Sequence, residues 1–212
     1  MKKAILFDLD GTLTDSGYGI MNCAELALRN FGLPVPSREE MRVFVGPPLD
    51  QTFMKFGIPA DKTDEAIAVY RSRYLTVGLF ENTPYPGIEE VLQKLQNNGH
   101  RLFVATSKPE ATSIRILEKF DLAKYFEKIC GATFDGSIST KEEVIAYLLG
   151  QVDDPGHSLM VGDTTFDVIG AKAHGIESIG VSWGYGKVED MEKAGAKAIA
   201  HTMDELFTLL DN

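Results

Sequence analysis

The chain has 212 residues, 44% of them hydrophobic and 25% charged. That is enough to bury a sizeable core in one domain or in two unequal ones. A formal net charge of −10 argues against a nucleic-acid polymer as partner, because such binding rests on clustered Lys and Arg. No apolar run approaches the ~18 residues of a membrane span. No export signal is visible, since Asp8 and Asp10 interrupt the apolar start, so no membrane partner and a cytoplasmic location are expected. Cys23 and Cys130 fit neither a metal-ligand spacing nor a disulfide framework, and both read as small buried hydrophobes.

Taken in chain order, Ala4–Leu9 predicts a short buried strand, followed by a turn at Asp10-Gly11-Thr12. From about Ser16 to Phe80 the pattern is helical. Ile20, Ala24, Ala27 and Phe31 share one face, Ser37 to Glu40 fits a capping box, and Ile67, Tyr70, Tyr74 and Val77 repeat at helical spacing. Val43–Val45 is the single stretch here with strand character. After Pro84-Tyr85-Pro86-Gly87, the residues Ile88, Val91, Leu92 and Leu95 form a helical stripe that Gly99 stops. Leu102–Ala105 predicts a buried strand ending at Thr106-Ser107, and Pro109 opens another helix. Ile129–Ala132, Leu159–Val161 and Ile176–Val181 predict further strands with helices between them.

Strands alternating with helices imply an α/β fold, a doubly wound parallel sheet with helices on both faces. The sheet domain is expected over residues 1–15 and 82–212, with an all-helical domain inserted over residues 16–81. In such sheets ligands bind beyond the carboxyl ends of the strands.

Four acids follow buried strands: Asp8, Asp10, Asp163 and Asp167. Strand ends of a parallel sheet converge, and carboxylates brought together repel and are costly to desolvate. A bound cation relieves both penalties. Oxygen-only ligands favour a hard ion such as Mg²⁺, and Lys141 would add positive charge. Each residue also has an ordinary structural account when taken singly. Asp8 and Asp10 could be turn formers, Asp163 could cap the helix that follows it, and Thr106 or Ser107 could cap the helix opened by Pro109. Lys141 could be a solvated helix residue. Joint occurrence in a fixed order beside strands favours the shared site.

The segments Asp8-Leu9-Asp10-Gly11-Thr12, Leu102–Ala105 ending in Thr106, Lys141, and Gly162-Asp163-Thr164-Thr165-Phe166-Asp167 resemble the four ordered motifs of the haloacid dehalogenase superfamily. The resemblance spans the chain and includes a helical cap in the expected place. Gly46-Pro47-Pro48-Leu49 and Gly180–Gly186 resemble the phosphoglycolate phosphatase-like subgroup.

The resemblance implies a Mg²⁺-dependent phosphomonoesterase with a Rossmann-like core. Asp8 is the nucleophile that forms an aspartyl-phosphate, and Asp10 is the general acid and base. Metal ligands are expected from the Asp8 and Asp163 carboxylates and the Asp10 backbone carbonyl, with Asp167 at or just behind the ion. Gly11, Thr106, Ser107 and Lys141 are expected to hold the phosphate. The cap is expected to close over the site, with Tyr18, Gly46 and Pro47 as candidate substrate contacts.

The substrate is expected to be a small phosphorylated metabolite, phosphoglycolate-like by resemblance, with 5'-nucleotides and phosphosugars as alternatives. A phosphosugar mutase is disfavoured, because the family's mutases carry a His early in the cap where this chain has Ile20. A dehalogenase or phosphonate hydrolase has no need of Asp10. A phospho-accepting receiver domain places its acid pair before a later phosphorylated Asp, and has no room for the insert. The assembly is left open between monomer and homodimer.

Overall fold

A computed structural model describes residues 2–153 and 157–212. In chain order the strands are β1 (Lys3–Phe7), β2 (Thr14–Asp15), β3 (Thr83–Pro84), β4 (Arg101–Pro109), β5 (Lys128–Ala132), β6 (His157–Gly162), β7 (Glu177–Val181) and β8 (Ala198–Ala200). The helices are α1 (Gly17–Asn30), α2 (Arg38–Met41), α3 (Leu49–Lys55), α4 (Thr63–Tyr74), α5 (Ile88–Asn97), α6 (Glu110–Lys119), α7 (Lys141–Leu149), α8 (Thr165–Ala173), α9 (Val188–Ala194) and α10 (Met203–Asp211). The chain divides into two compact units, Met1–Thr14 with Pro84–Asn212, and Asp15–Thr83. The short strands β2 and β3 pair with each other where the chain passes between them. No helix among the described residues is long and apolar enough to cross a membrane.

The larger unit is a six-stranded sheet of order β5-β4-β1-β6-β7-β8, and its strand pairs are parallel. β1 is buried along its whole length, which is why it reads as a continuous apolar run with no alternation. Ala4, Leu6, Phe103, Ala105 and Met160 on one face pack with Val144, Ile145 and Leu148 of α7 and Ala171 of α8. The alternate residues Ile5, Phe7, Val104 and Val161 are also buried. The Ile88, Val91, Leu92 and Leu95 stripe of α5 is buried as its spacing predicts, a contribution of about 1.5–3 kcal/mol per side chain.

β1 lies between β4 and β6, and the sheet is extended outward from it in both directions. The connections therefore reverse beside β1, and this is the place where such sheets open a crevice at their carboxyl ends. Phe7 pairs with Val104 on one side and Val161 on the other, and the Asp8 amide donates to Val161 O at 2.9 Å. Asp8, Ala105 and Gly162, the residues that follow this aligned trio, thus start level with one another.

Sequence reading missed β8, whose core is Ala198-Ile199-Ala200, too short and too weakly β-branched to stand out. It also ended β4 too early. The strand runs to Pro109 through an irregularity: Thr106 pairs with Gly131 and Pro109 with Ala132, so Ser107 and Lys108 are extra residues on one side.

The helical unit packs Ile20, Cys23, Ala24, Ala27 and Leu28 of α1 inward. Phe44 lies against Phe53 and Phe56 with ring centroids 5.2 and 5.0 Å away, and Phe53 continues to Tyr70 at 6.4 Å. The predicted stripe on α4 is displaced. Ala66, Tyr70 and Tyr74 are buried, while Val77 lies past the helix and is exposed. Val43–Val45, given strand character by sequence, instead overlaps a 3₁₀ turn at Arg42–Phe44 that ends on an extended Val45, and the Ser37–Glu40 capping box is present. Arg73 grips Glu81 with two bonds of 2.6 and 2.8 Å. Gly19 and Gly78 meet backbone to backbone, and a Cβ on Gly19 would fall 2.1 Å from the Gly78 carbonyl oxygen.

Candidate active site

Asp8, Asp163 and Asp167 converge at the carboxyl end of the sheet. All three are buried, and one carboxylate oxygen from each lies within 4.8 Å of the others. Lys141 lies among them. Its ammonium is 2.7 Å from Asp8 Oδ1 and 2.8 Å from Asp167 Oδ1, and it donates to the Ala105 carbonyl at 2.8 Å. Lys141 is the first residue of α7, after a Thr140–Glu143 capping box. A cation there opposes the helix dipole, so the carboxylates around it are what make the position tolerable. Gly170 of α8 makes room for its stem, since a Cβ at that position would fall 2.8 Å from Lys141 Cγ.

The electrostatics are those of crowded, buried acids. Burial pushes the Asp8 carboxyl up to about 6; Lys141 opposes this and the charge of Asp167 adds to it. Burial, with the charges of Asp167 and Asp8, holds Asp163 well above the ordinary carboxyl range, against the Tyr185 amide and Lys141. Burial alone would lower Lys141, but Asp167 and Asp8 outweigh it and hold the ammonium above the usual lysine value.

Asp163 does not cap the helix that follows. That role belongs to Thr164, whose amide and hydroxyl donate to Asp167 Oδ2 at 3.0 and 2.9 Å. Asp167 is accordingly in the first turn of α8 and not in a loop. Asp163 is fixed from three sides. The Tyr185 amide donates to Oδ2 at 2.7 Å, the Thr12 hydroxyl lies 3.5 Å from Oδ1, and Gly11 and Gly184 leave it space. A Cβ on Gly11 would fall 2.2 Å from Asp163 Oδ2, and one on Gly184 2.3 Å from it. The Gly184-Tyr185-Gly186 segment is thus a turn built around Asp163.

Asp10 takes a different partner. Its Oδ2 accepts from the Lys108 ammonium at 2.6 Å, and both side chains are almost wholly enclosed. Sequence reading did not single out Lys108. The available signal was its place directly after Thr106-Ser107, at the end of a buried strand.

Thr106 is buried, and its hydroxyl accepts the Lys108 amide at 3.3 Å, leaving its proton free to donate. Ser107 is half-buried in the bulge. Neither caps α6, whose N-cap is Pro109. The expectation for Gly11 needs correction. Its amide donates to the Thr14 carbonyl at 2.8 Å and is not free for a phosphate, so its contribution is the space it leaves for Asp163.

Tyr18, Gly46 and Pro47 belong to the helical unit. Tyr18 is exposed with the Arg38 guanidinium 5.9 Å above its ring centre. Gly46 is exposed at φ 102°, and Pro47 is half-buried.

The donor set suits a hard divalent cation. It is all oxygen, and four carboxylates stand against the two ammonium groups of Lys108 and Lys141, an excess of two negative charges that burial makes costly. The raised Asp8 and Asp163 carboxyls express the same excess.

The haloacid dehalogenase-like hydrolase family matches residues 5–181. A tyrosine-protein kinase, PtkA of Mycobacterium tuberculosis, is 42% identical over 207 residues, 96% of this chain and 71% of that protein. A 5'-nucleotidase of Pseudomonas aeruginosa is 41% identical over 192 residues, 88% of this chain and 86% of that one. A crystal structure described as a "predicted phosphatase" from Clostridium acetobutylicum superposes with a TM-score of 0.93 at 41% identity, covering 99% of this chain and 98% of that one. With this sheet order and this acid cluster, the chain belongs to the haloacid dehalogenase-like hydrolase family, among its phosphatases.

Proposed function

We propose that the chain hydrolyses phosphomonoesters of small metabolites with Mg²⁺, through a phosphorylated Asp8. The observation that carries this reading is the Asp8–Lys141–Asp167 ion-pair chain beside Asp163. Asp8 is the nucleophile. Its carboxylate oxygen bonds to phosphorus as the ester oxygen leaves, splitting one displacement into two. Lys141 balances the charge that builds between Asp8 and the phosphoryl oxygens, and Thr106 and Ser107 donate to those oxygens.

The Asp8 and Asp163 carboxylates and the Asp10 backbone carbonyl would hold the ion. Both Asp167 oxygens are engaged, by Lys141 and Thr164, so its role is to orient Lys141. When bound, Mg²⁺ neutralises charge shared between nucleophile and phosphate.

Asp10 gives its proton to the leaving oxygen. It then takes one from the water that attacks the aspartyl-phosphate, freeing phosphate and regenerating Asp8. For the choice of leaving group, Tyr18, Gly46 and Pro47 are the residues to vary. The likeness to a 5'-nucleotidase supports testing nucleoside monophosphates beside phosphoglycolate and phosphosugars.

The test is phosphate release from a panel of these esters, with Mg²⁺ or with chelator and with Asp8→Asn as the blank. Release that needs both Asp8 and the ion is expected. Release unaffected by Asp8→Asn overturns the reading. So does passage of the phosphoryl group to a tyrosine hydroxyl in place of water.

A further inference from the structure

We propose that Lys108 is a positioning residue for the acid–base step, holding Asp10 by one oxygen so that the other faces the reacting atoms. The inference rests on the role given to Asp10 above and extends it to a residue with no assigned part.

Three observations carry it. The first is the contact: Lys108 Nζ lies 2.6 Å from Asp10 Oδ2, with the two side chains 6% and 12% exposed. A pair this enclosed fixes a rotamer far better than a solvated surface pair. The second is the asymmetry of the carboxylate: Oδ1 of Asp10 is buried and has no hydrogen-bond partner among the described residues. A buried acceptor left open is costly and needs a reason. An oxygen kept free to give and take a proton supplies one.

The third is how Lys108 reaches Asp10. On β4 the step from Thr106 to Pro109 is matched by a single step from Gly131 to Ala132 on β5. A bulge of this kind re-aims a side chain at the end of a strand. The Thr106 hydroxyl closes the bulge by accepting the Lys108 amide at 3.3 Å. Gly131 makes it possible, because a Cβ there would fall 2.5 Å from the Lys108 carbonyl oxygen.

In the first half-reaction the P–O ester bond breaks, and the Asp10 proton passes to the departing oxygen, leaving a neutral alcohol. Asp10 is then a carboxylate, and the ammonium of Lys108 already faces its charge. In the second half-reaction water bonds to phosphorus, the bond from phosphorus to Asp8 breaks, and the proton lost by water returns to Asp10. Lys108 keeps its own protons throughout and touches no reacting atom.

The experiment compares two esters on the same preparations. 4-Nitrophenyl phosphate releases a stabilised phenolate and needs little help from an acid. An alkyl ester such as glycerol phosphate or a 5'-mononucleotide releases an alkoxide and needs the proton. Lys108→Met should lower kcat on the alkyl ester by about 10²-fold, within the range of general acid catalysis, while kcat on 4-nitrophenyl phosphate falls only a few-fold. Lys108→Arg should recover part of the alkyl-ester loss. Lys108→Gln, which keeps a donor without the charge, serves where the Met variant folds poorly.

Asp10→Asn should show the same split, and adding Lys108→Met to it should cost little more. Equal losses on the two esters in Lys108→Met, or a rise confined to KM, overturn the inference while Asp10→Asn still shows the split. Absence of the split in Asp10→Asn overturns the underlying role of Asp10.

Discussion

Lys141 and Asp8 meet at 2.7 Å inside the protein, with their side chains 4% and 11% exposed. Two carboxylates share that single ammonium, and breaking a buried pair from the cationic side leaves both uncompensated. Lys141→Met is therefore expected to abolish phosphate release. In chelator it should lower stability by about 3–5 kcal/mol, read from urea unfolding. Added Mg²⁺ should recover part of the stability and none of the activity.

Metal-free stability should fall as pH rises across the site's titration. The Asp8 carboxyl is about 6 in the folded chain against 3.8 when unfolded. Between those values the native state binds more protons, so its advantage is complete below about pH 4 and is lost as pH passes through about 6. The loss from Asp8 amounts to about 3 kcal/mol, and Asp163, also raised, adds in the same direction. Glu143 and Asp135, both lowered to about 2, act with the opposite sign. Their gain is complete by about pH 5, so the fall above that pH belongs to the site. Urea midpoints in chelator at pH 5 and 7.5 measure it. Asp8→Asn should flatten the fall, and Mg²⁺ should remove most of it by binding the ionised site.

Neither Gly11 nor Gly184 has room for a Cβ against Asp163. Gly184→Ala sets a Cβ 2.3 Å from its carboxylate, so Mg²⁺ affinity by calorimetry should weaken at least ~10-fold, as when supporting contacts of metal ligands are lost. Gly136→Ala is the comparison. Nothing lies within 4 Å of its added Cβ, so only backbone strain at φ 77° is introduced, and ion affinity should hold.

Within the helical unit, Gly19→Ala would drive a methyl into the Gly78 carbonyl at 2.1 Å. Backbone on both sides cannot rotate away as a side chain can. A cost of about 1–3 kcal/mol is expected, seen as a lower midpoint of thermal unfolding. Ala24→Gly should also destabilise, by about 1 kcal/mol from helix propensity alone, and the larger effect at position 19 separates steric conflict from propensity.

Much of this was legible because it was written locally. β1 is an unbroken apolar run that stops at Asp8, and α5 buries the residues its period marks. The acids were found by their place after strands, since parallel topology carries such positions to one edge. What escaped depended on pairing between distant segments. Lys108 looks like an ordinary loop lysine until the bulge against Gly131 turns it toward Asp10. The Gly11 amide reads as a free donor until Thr14 claims it. Val77 kept the helical period and still lies outside, because α4 ends at Tyr74. β8 has almost no signature of its own and exists because β7 offers it an edge.

The wide spacing of the contacts in the larger unit has a consequence for the chain as it is made. Lys108 and Asp10 are 98 positions apart, and Thr12 and Asp163 are 151 apart. A chain leaving the ribosome with Asp8 and Asp10 already made gains the Lys108 ammonium only when half of its length has emerged, and Asp163 only at three-quarters. On the proposed reading, unfinished or truncated chains should be silent toward phosphate esters. Ion uptake, on the same reading, needs both Asp8 and Asp163 and would gauge whether β1 and β6 have paired.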